Sequence, residues 1–317
     1  MKLIKSCKWL TVAAILLLSN KSMHAQTDID GIMMNKNQIC IGPTYSHSAW
    51  DEYWEGKLKR NNLNLGTVST QSMMIGANYG ITDDLNIMAM GNYVWTKASA
   101  GTLHGVNGVQ DLSVFAKWKA YKKKFGKSKL SLIAIGGFST PLSNYVIDYL
   151  PLSIGMGSSV LMGRGMIDYT YKRWSATISG TYSRRSNIDI DRTAYYSEQG
   201  MITKEVEMPD VLSFNFRAGY RGRYLIAEAV LNVMNTQGGY DITRNNMPFP
   251  SNDMDATTAG VNLKYTFKFH TNLAVVGGVT HTLGGDFFGG RNVGQATGYN
   301  AGIFYAFYLN KKDKKQN

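Results

Sequence analysis

Residues Trp174-Ser175-Ala176-Thr177-Ile178-Ser179-Gly180-Thr181-Tyr182-Ser183-Arg184 form a two-sided ribbon. From Trp174 to Tyr182 every even position is aromatic, aliphatic or small, and every odd position is Ser or Thr. Side chains alternate between the faces of a strand, so one side is greasy and the other hydroxylated. The run also has the length, roughly 9–11 residues, that a tilted strand needs to cross a bilayer. A ribbon of this kind is stable only where its two faces meet two different media.

The pattern recurs. Twelve strands are expected by alternation, over 38–49, 65–80, 85–97, 109–121, 129–140, 156–171, 173–186, 210–221, 223–235, 255–269, 271–283 and 296–309. Their connections alternate in length. Thr82-Asp83-Asp84, residues 122–128, Lys172-Arg173, the neighbourhood of Gly222 and His270-Thr271 are short; 50–64, 98–108, 141–155, 187–209, 236–254 and 284–295 are long. That rhythm, with an even strand count, matches short periplasmic turns and long extracellular loops. A soluble β-sandwich would alternate too, with its apolar face inward. Strand length, Tyr and Trp near strand ends and the loop rhythm select an all-β fold, a transmembrane antiparallel up-and-down β-barrel.

The first 25 residues have the layout of a secretory signal peptide: Lys2, Lys5 and Lys8, an apolar run from Trp9 to Leu18, and a small residue, Ala25, at the expected cut. Their removal takes four lysines and no acids, lowering the formal net charge from +12 to +8. The remaining chain divides into an N-terminal periplasmic segment 26–37, a barrel 38–310 and a basic tail 311–317. Cys40 is then the sole cysteine, which excludes an intrachain disulfide. The expected location is the outer membrane of a Gram-negative bacterium, after export.

Little in the sequence speaks for catalysis or metal binding. His47, His104, His270 and His281 are isolated. Asp28-Ile29-Asp30-Gly31 has the start of a calcium loop without its later ligands. No cofactor is expected, since a lumen working by shape and charge requires none, and a nucleic-acid partner does not suit a secreted chain.

With aromatic faces toward lipid, the inward positions divide into two sets. Met88, Met90, Phe115, Ile133 and Ile135 make a candidate apolar path on the third to fifth strands. Arg164, Asp168, Arg185, Arg217, Glu228, Lys264 and Lys268 make a candidate charged ladder, with Arg217 and Glu228 placed to pair across a hairpin. At the outer mouth, Trp50, Asp51, Tyr53 and Trp54 form an aromatic and acidic cluster, suited to gathering a ligand or to holding loops together. Basic residues including Lys122, Lys123, Lys124, Lys127, Lys172, Arg173, Arg221 and Arg223 gather on the periplasmic side, where anionic headgroups, a periplasmic partner or plain solvent would meet them.

Two segments carry a family resemblance. Tyr79-Gly80-Ile81-Thr82-Asp83-Asp84-Leu85 resembles the "GITD-x-L" hairpin of Gram-negative outer-membrane barrels. Gly108-Val109-Gln110-Asp111-Leu112-Ser113-Val114-Phe115-Ala116-Lys117-Trp118 resembles their "G-x-x-D-L-x-x-x-x-K-Y/W" strand. Together they are similar to the transporter family named for the MetA pathway of phenol degradation, and the Ala25-Gln26 junction and Met- and Asn-rich composition resemble Bacteroidetes secreted proteins. The resemblance implies passage of small hydrophobic compounds across the outer membrane and carries over no functional residue. The last strand departs from the wider class by ending at Leu309 and Asn310: either Phe307 or Tyr308 presents the aromatic signal to the barrel insertion machinery, or the signal lies inside the strand. The expected function is a passive channel for small, partly hydrophobic or aromatic solutes, with outer-membrane lipids as surroundings. A non-conducting anchor for a secretion or surface complex is the alternative, and a lipid hydrolase using His281 the third reading. Whether the lumen is open, or blocked by the 187–209 loop or segment 26–37, is not written in the pattern.

Overall fold

The computed structural model describes residues 27–55, 58–192, 195–196, 202–239, 248–284 and 293–309. The expected signal peptide, the basic tail and parts of four long loops lie outside them. Twelve long strands are β1 (Gln38–Trp50), β2 (Val68–Gly80), β3 (Leu85–Ala98), β4 (Asn107–Phe125), β5 (Ser128–Pro141) and β6 (Val160–Tyr171), followed by β7 (Trp174–Arg185), β8 (Asp210–Arg221), β9 (Leu225–Gln237), β10 (Asp255–Thr266), β11 (Leu273–Gly284) and β12 (Thr297–Tyr308). Each pairs antiparallel with its chain neighbours, and β1 pairs with β12 from Gln38↔Tyr308 to Ala49↔Thr297, so the sheet closes on itself. Closure leaves no unpaired edge, the condition for a sheet to stand in hydrocarbon. All short connections lie at one end of the barrel, the turn end, and all long ones at the other, the loop end.

The faces divide as the ribbon requires. In β7, Ser175, Thr177, Ser179 and Thr181 are buried, whereas Trp174 is 64% and Ile178 51% exposed. Ile178 stands between Ile167 of β6 and Phe216 of β8 in register, and both are also exposed. Leu161, Leu263, Val279 and Ile303 continue this apolar belt around the outside. An apolar surface of such extent on a closed sheet is the lipid face of a transmembrane barrel.

Aromatic residues ring the turn end and are tied to the basic residues there. Trp174 and Tyr220 meet edge to face at 5.9 Å. The Lys172 ammonium lies 5.3 Å from the Tyr171 ring and the Arg223 guanidinium 5.2 Å from Tyr224, while Arg173 donates to the Tyr220 hydroxyl. The basic rim is therefore partly built from cation–π contacts with the girdle.

Several strand limits differ from the expected ones. β2 begins at Val68 because Leu65 is buried in a loop cluster with Val68 and Leu152. β4 and β5 extend to a hairpin at Phe125 and Ser128, where Gly126 takes a positive φ of 57°. β10 stops at Thr266, since the Phe267 and His270 amides turn back to Leu273 and Phe267 carbonyls. That corrects the placement of Lys268 in the lumen ladder: it is exposed at the turn-end rim, its ammonium 5.8 Å from the Tyr224 ring.

An Arg in place of Ile178 would sit near mid-strand on the lipid face. Ile178→Arg is expected to destabilise the barrel in phospholipid vesicles by about 2–4 kcal/mol, read from denaturant titration of its heat-modifiable gel mobility. An unchanged midpoint would place that face elsewhere than in lipid.

Candidate functional site in the barrel lumen

The lumen wall has two characters. On β4 to β6, Ile133, Ile135 and Met166 are buried together, with Phe115 and Met162 packed against them. Gly137 makes room for this patch, because a Cβ there would come within 2.4 Å of the Phe115 ring. Met88 of β3 is buried and stands opposite Phe115 in register, and half-buried Met90 lies one step further toward the loop end, opposite Ser113. Met162 and Met166 extend the apolar patch beyond the five residues named from the sequence.

The adjoining wall, from β6 to β10, is charged and internally paired. Arg221 of β8 donates to Asp168 and to Glu228, each at 2.7 Å, and to the Thr177 hydroxyl at 2.9 Å. Thr177 donates in turn to Asp168 at 2.7 Å. Arg217 reaches Glu228 across the β8–β9 hairpin at 3.4 Å. Asp168, Arg217, Glu228 and Lys264 are all buried. Arg185 stands apart near the loop end, beside Asp210, which accepts its backbone N–H at 3.0 Å.

Across the lumen runs the N-terminal segment. Its exit is held at the turn end: the Asn37 amide donates to the Gly80 carbonyl, the Lys36 amide to the Asp83 carboxylate, and Asn35 to the Tyr308 hydroxyl. Gly80 must be glycine, because a Cβ would meet the Asn35 carbonyl at 2.1 Å. The GITD-type hairpin thus fastens this segment to the barrel. From there Met34 packs on Cys40 of β1 and Ala306 of β12. Gly31 then lies against the opposite wall, where a Cβ would fall 2.1 Å from an Asp168 oxygen. In the ring of twelve strands, β6 stands nearly diametrically across from the β1–β12 seam. Residues 27–34 therefore cross the lumen.

Lys117 anchors this crossing. Its ammonium is fully buried and donates to the carbonyls of Thr27 (3.0 Å), Asp30 (2.6 Å) and Ile32 (2.9 Å) and to the Asp30 carboxylate (3.1 Å). Arg164 donates to the carbonyl and carboxylate of Asp28 at 2.9 and 2.8 Å, and to the Thr181 hydroxyl at 2.6 Å. The acidic Asp28-Ile29-Asp30-Gly31 run is thus a ligand for two lumen cations. Burial pushes the Asp30 carboxyl upward, but Lys117 and the Thr27 amide outweigh it and hold the group below its ordinary value.

At the loop end the β5–β6 connection, residues 142–159, is held at two places. On one side its Leu152 is buried against Leu65 and Val68, with its carbonyl accepting from Thr96 at 2.7 Å. On the other, Ile147 and Met156 pack on Ile188, Ile190, Val206, Met208 and Phe249. Arg192 pairs with Asp148, and Tyr145 donates to Asp111 at 3.1 Å. Burial, then the nearby Asp111 charge, pushes the Tyr145 hydroxyl up to about 12. The mouth cluster also binds loop to loop. Trp50 and Tyr53 meet edge to face at 6.4 Å, Trp50 lies over Gly294, and the Trp54 amide donates to Val293; Asp51 is exposed. His281 bonds to Thr297 and Gln295 and touches neither a serine nor a carboxylate through these contacts. Among the described residues no cluster of His, Cys, Asp or Glu is arranged to hold a metal.

No family model matches the chain, and no curated protein matches it. Among solved structures, the COG4313 outer membrane channel of Pseudomonas putida F1 superposes with a TM-score of 0.66 at 14% identity, over 90% of this chain and 100% of the other. The NanC porin gives 0.46 at 9% identity over 83% and 98%, and the translocator domain of autotransporter NalP from Neisseria meningitidis 0.46 at 11% over 96% and 95%. The chain shares the first channel's barrel fold.

Leaving Asp30 buried without its partner would cost about 3–5 kcal/mol, so removal of the Lys117 charge should release the segment instead. Lys117→Met is expected to speed amide hydrogen exchange of residues 27–34 at least about tenfold, read by mass spectrometry, as is Gly31→Val through its clash with Asp168. Because the Asp30 carboxyl is held low in the docked state, its contribution is present at neutral pH and is lost as pH falls below the ordinary carboxylate value of about 3.9. The protection of these amides in the wild type, taken relative to their intrinsic exchange rate at each pH, should fall on the same descent.

Proposed function

We propose that the chain is an outer-membrane channel for small, partly apolar solutes, closed at its periplasmic end by its own residues 27–34. The observation that carries this reading is the pairing of a lumen-crossing segment with two wall cations. A barrel that needed only to be filled would do so with wall side chains. Here the filling is a strap on a short hinge, tied at residues 35–37, whose carboxylates and carbonyls satisfy Lys117 and Arg164. Polar attachment in a wet lumen is exchangeable for water, so the strap can leave at a cost that an apolar core would not permit.

The turn end is assigned to the periplasm from the short-turn, long-loop asymmetry of outer-membrane barrels. The apolar stripe of Met88, Phe115, Ile133, Ile135 and Met166 supports a solute with an apolar body. It is also the reason for preferring partly hydrophobic solutes, in line with the MetA-pathway resemblance. No catalytic group is assigned. One other reading is favoured by the same filled lumen: a sealed barrel that anchors a partner at its basic turn-end rim.

Conductance separates the two. In planar bilayers, the wild type should show rare, small steps, and a variant lacking residues 27–34 should show steps at least about fivefold larger in mean current. If the deletion variant folds, by its heat-modifiable mobility, and still carries no current, the channel reading fails and the anchor stands.

A further inference from the structure

Lys117 and Arg164 are not merely near one another. Lys117 stands in register with Ile135, and Ile135 stands in register with Arg164. The Cα atoms of the two residues are therefore two strand spacings apart, about 10 Å, with Ile135 between them. Phe115, Ile133, Met162 and Met166 surround that residue. Each cation already holds a carboxylate, Asp30 on Lys117 and Asp28 on Arg164, and both carboxylates belong to one short, hinged strap.

We infer that the strap is a tethered stand-in for the solute: the wall between Lys117 and Arg164 recognises a small organic acid with an apolar body, which displaces Asp28 or Asp30. This rests on the channel reading and names the solute class of the same site. The chemistry is complementary on both counts. An apolar body of aromatic size covers Ile135 and its neighbours, and its carboxylate reaches a guanidinium or ammonium that is largely buried. Arg164 offers a planar fork that suits carboxylate, and only part of that fork is taken up by Thr181 and Asp28. A neutral solute of the same shape would leave the displaced cation buried without an anion, and a small hydrophilic acid would leave the apolar stripe uncovered.

The strap also sets the working concentration. A group on a short flexible tether presents itself at about millimolar effective concentration, so a free competitor must act in that range. The acid thus opens the path that it uses, and the empty channel stays shut.

The test compares three probes on the full mature chain in detergent by calorimetry: 3-phenylpropanoate, the uncharged 3-phenylpropan-1-ol, and acetate. The aromatic acid is expected to bind at least about tenfold more tightly than either of the others. Asp28→Asn, which lies in the strap and leaves the wall intact, should tighten the acid severalfold by weakening its rival. Arg164→Gln should abolish the preference over the alcohol. Equal binding of acid and alcohol, no effect of Asp28→Asn, or a preserved preference in Arg164→Gln would each overturn the inference. Conductance is read separately with the strapless variant. A conducting barrel with no preference for the acid sinks only this inference, whereas selective binding by a barrel that never conducts sinks the channel reading.

Discussion

Every backbone amide and carbonyl that enters hydrocarbon must find its partner within the protein. For a sheet this means closure, and in this chain closure is made by β1 against β12. The rest follows from that seam. Alternation turns one face of each strand to lipid and the other to an enclosed space only a few side chains wide. The enclosed face may be polar, since water reaches it, but charges crowded there must be answered by other charges. Asp168, Arg221, Glu228 and Arg217 answer one another across neighbouring strands. Lys117 and Arg164 are answered by the strap.

The barrel was legible because its rule is local. The Ser and Thr positions of β7 can be assigned to a face without knowing what they touch. The same rule explains how a chain only 14% identical to a known channel keeps its barrel: what must persist is the kind of residue at each second position. The rule also placed Met88, Phe115, Ile133, Ile135, Arg164, Asp168, Arg217 and Glu228 toward the inside, where the structure has them. It overran at Lys268, because Phe267 and Phe269 continue the alternation past the residue where the ladder stops.

The strap was not legible, for a different reason. Its sequence has no period, and its acids have meaning only beside residues some 90 to 140 positions away, as in Lys117–Asp30 and Arg164–Asp28. Lys117 itself could have been found: two residues beyond inward Phe115, it must share that face. Arg221 was hidden, since a basic residue at a strand end passes for rim, although alternation from Arg217 carries it inward. Met162 and Met166 share the face of Arg164 and Asp168 and were overshadowed by them.

The seat of Met34 has a consequence for the order of events. That seat is made by Cys40 of the first strand and Ala306 of the last, with Phe304 and Tyr308 beside it. Until those strands meet, there is nowhere for Met34 to go, and Lys117 and Arg164 stand on a sheet with no interior. The segment that precedes every strand of the barrel is therefore the last to settle, and it settles only in a finished barrel. A strap in place is a record that assembly is complete, so a barrel left ajar at its seam would also be one left unlatched.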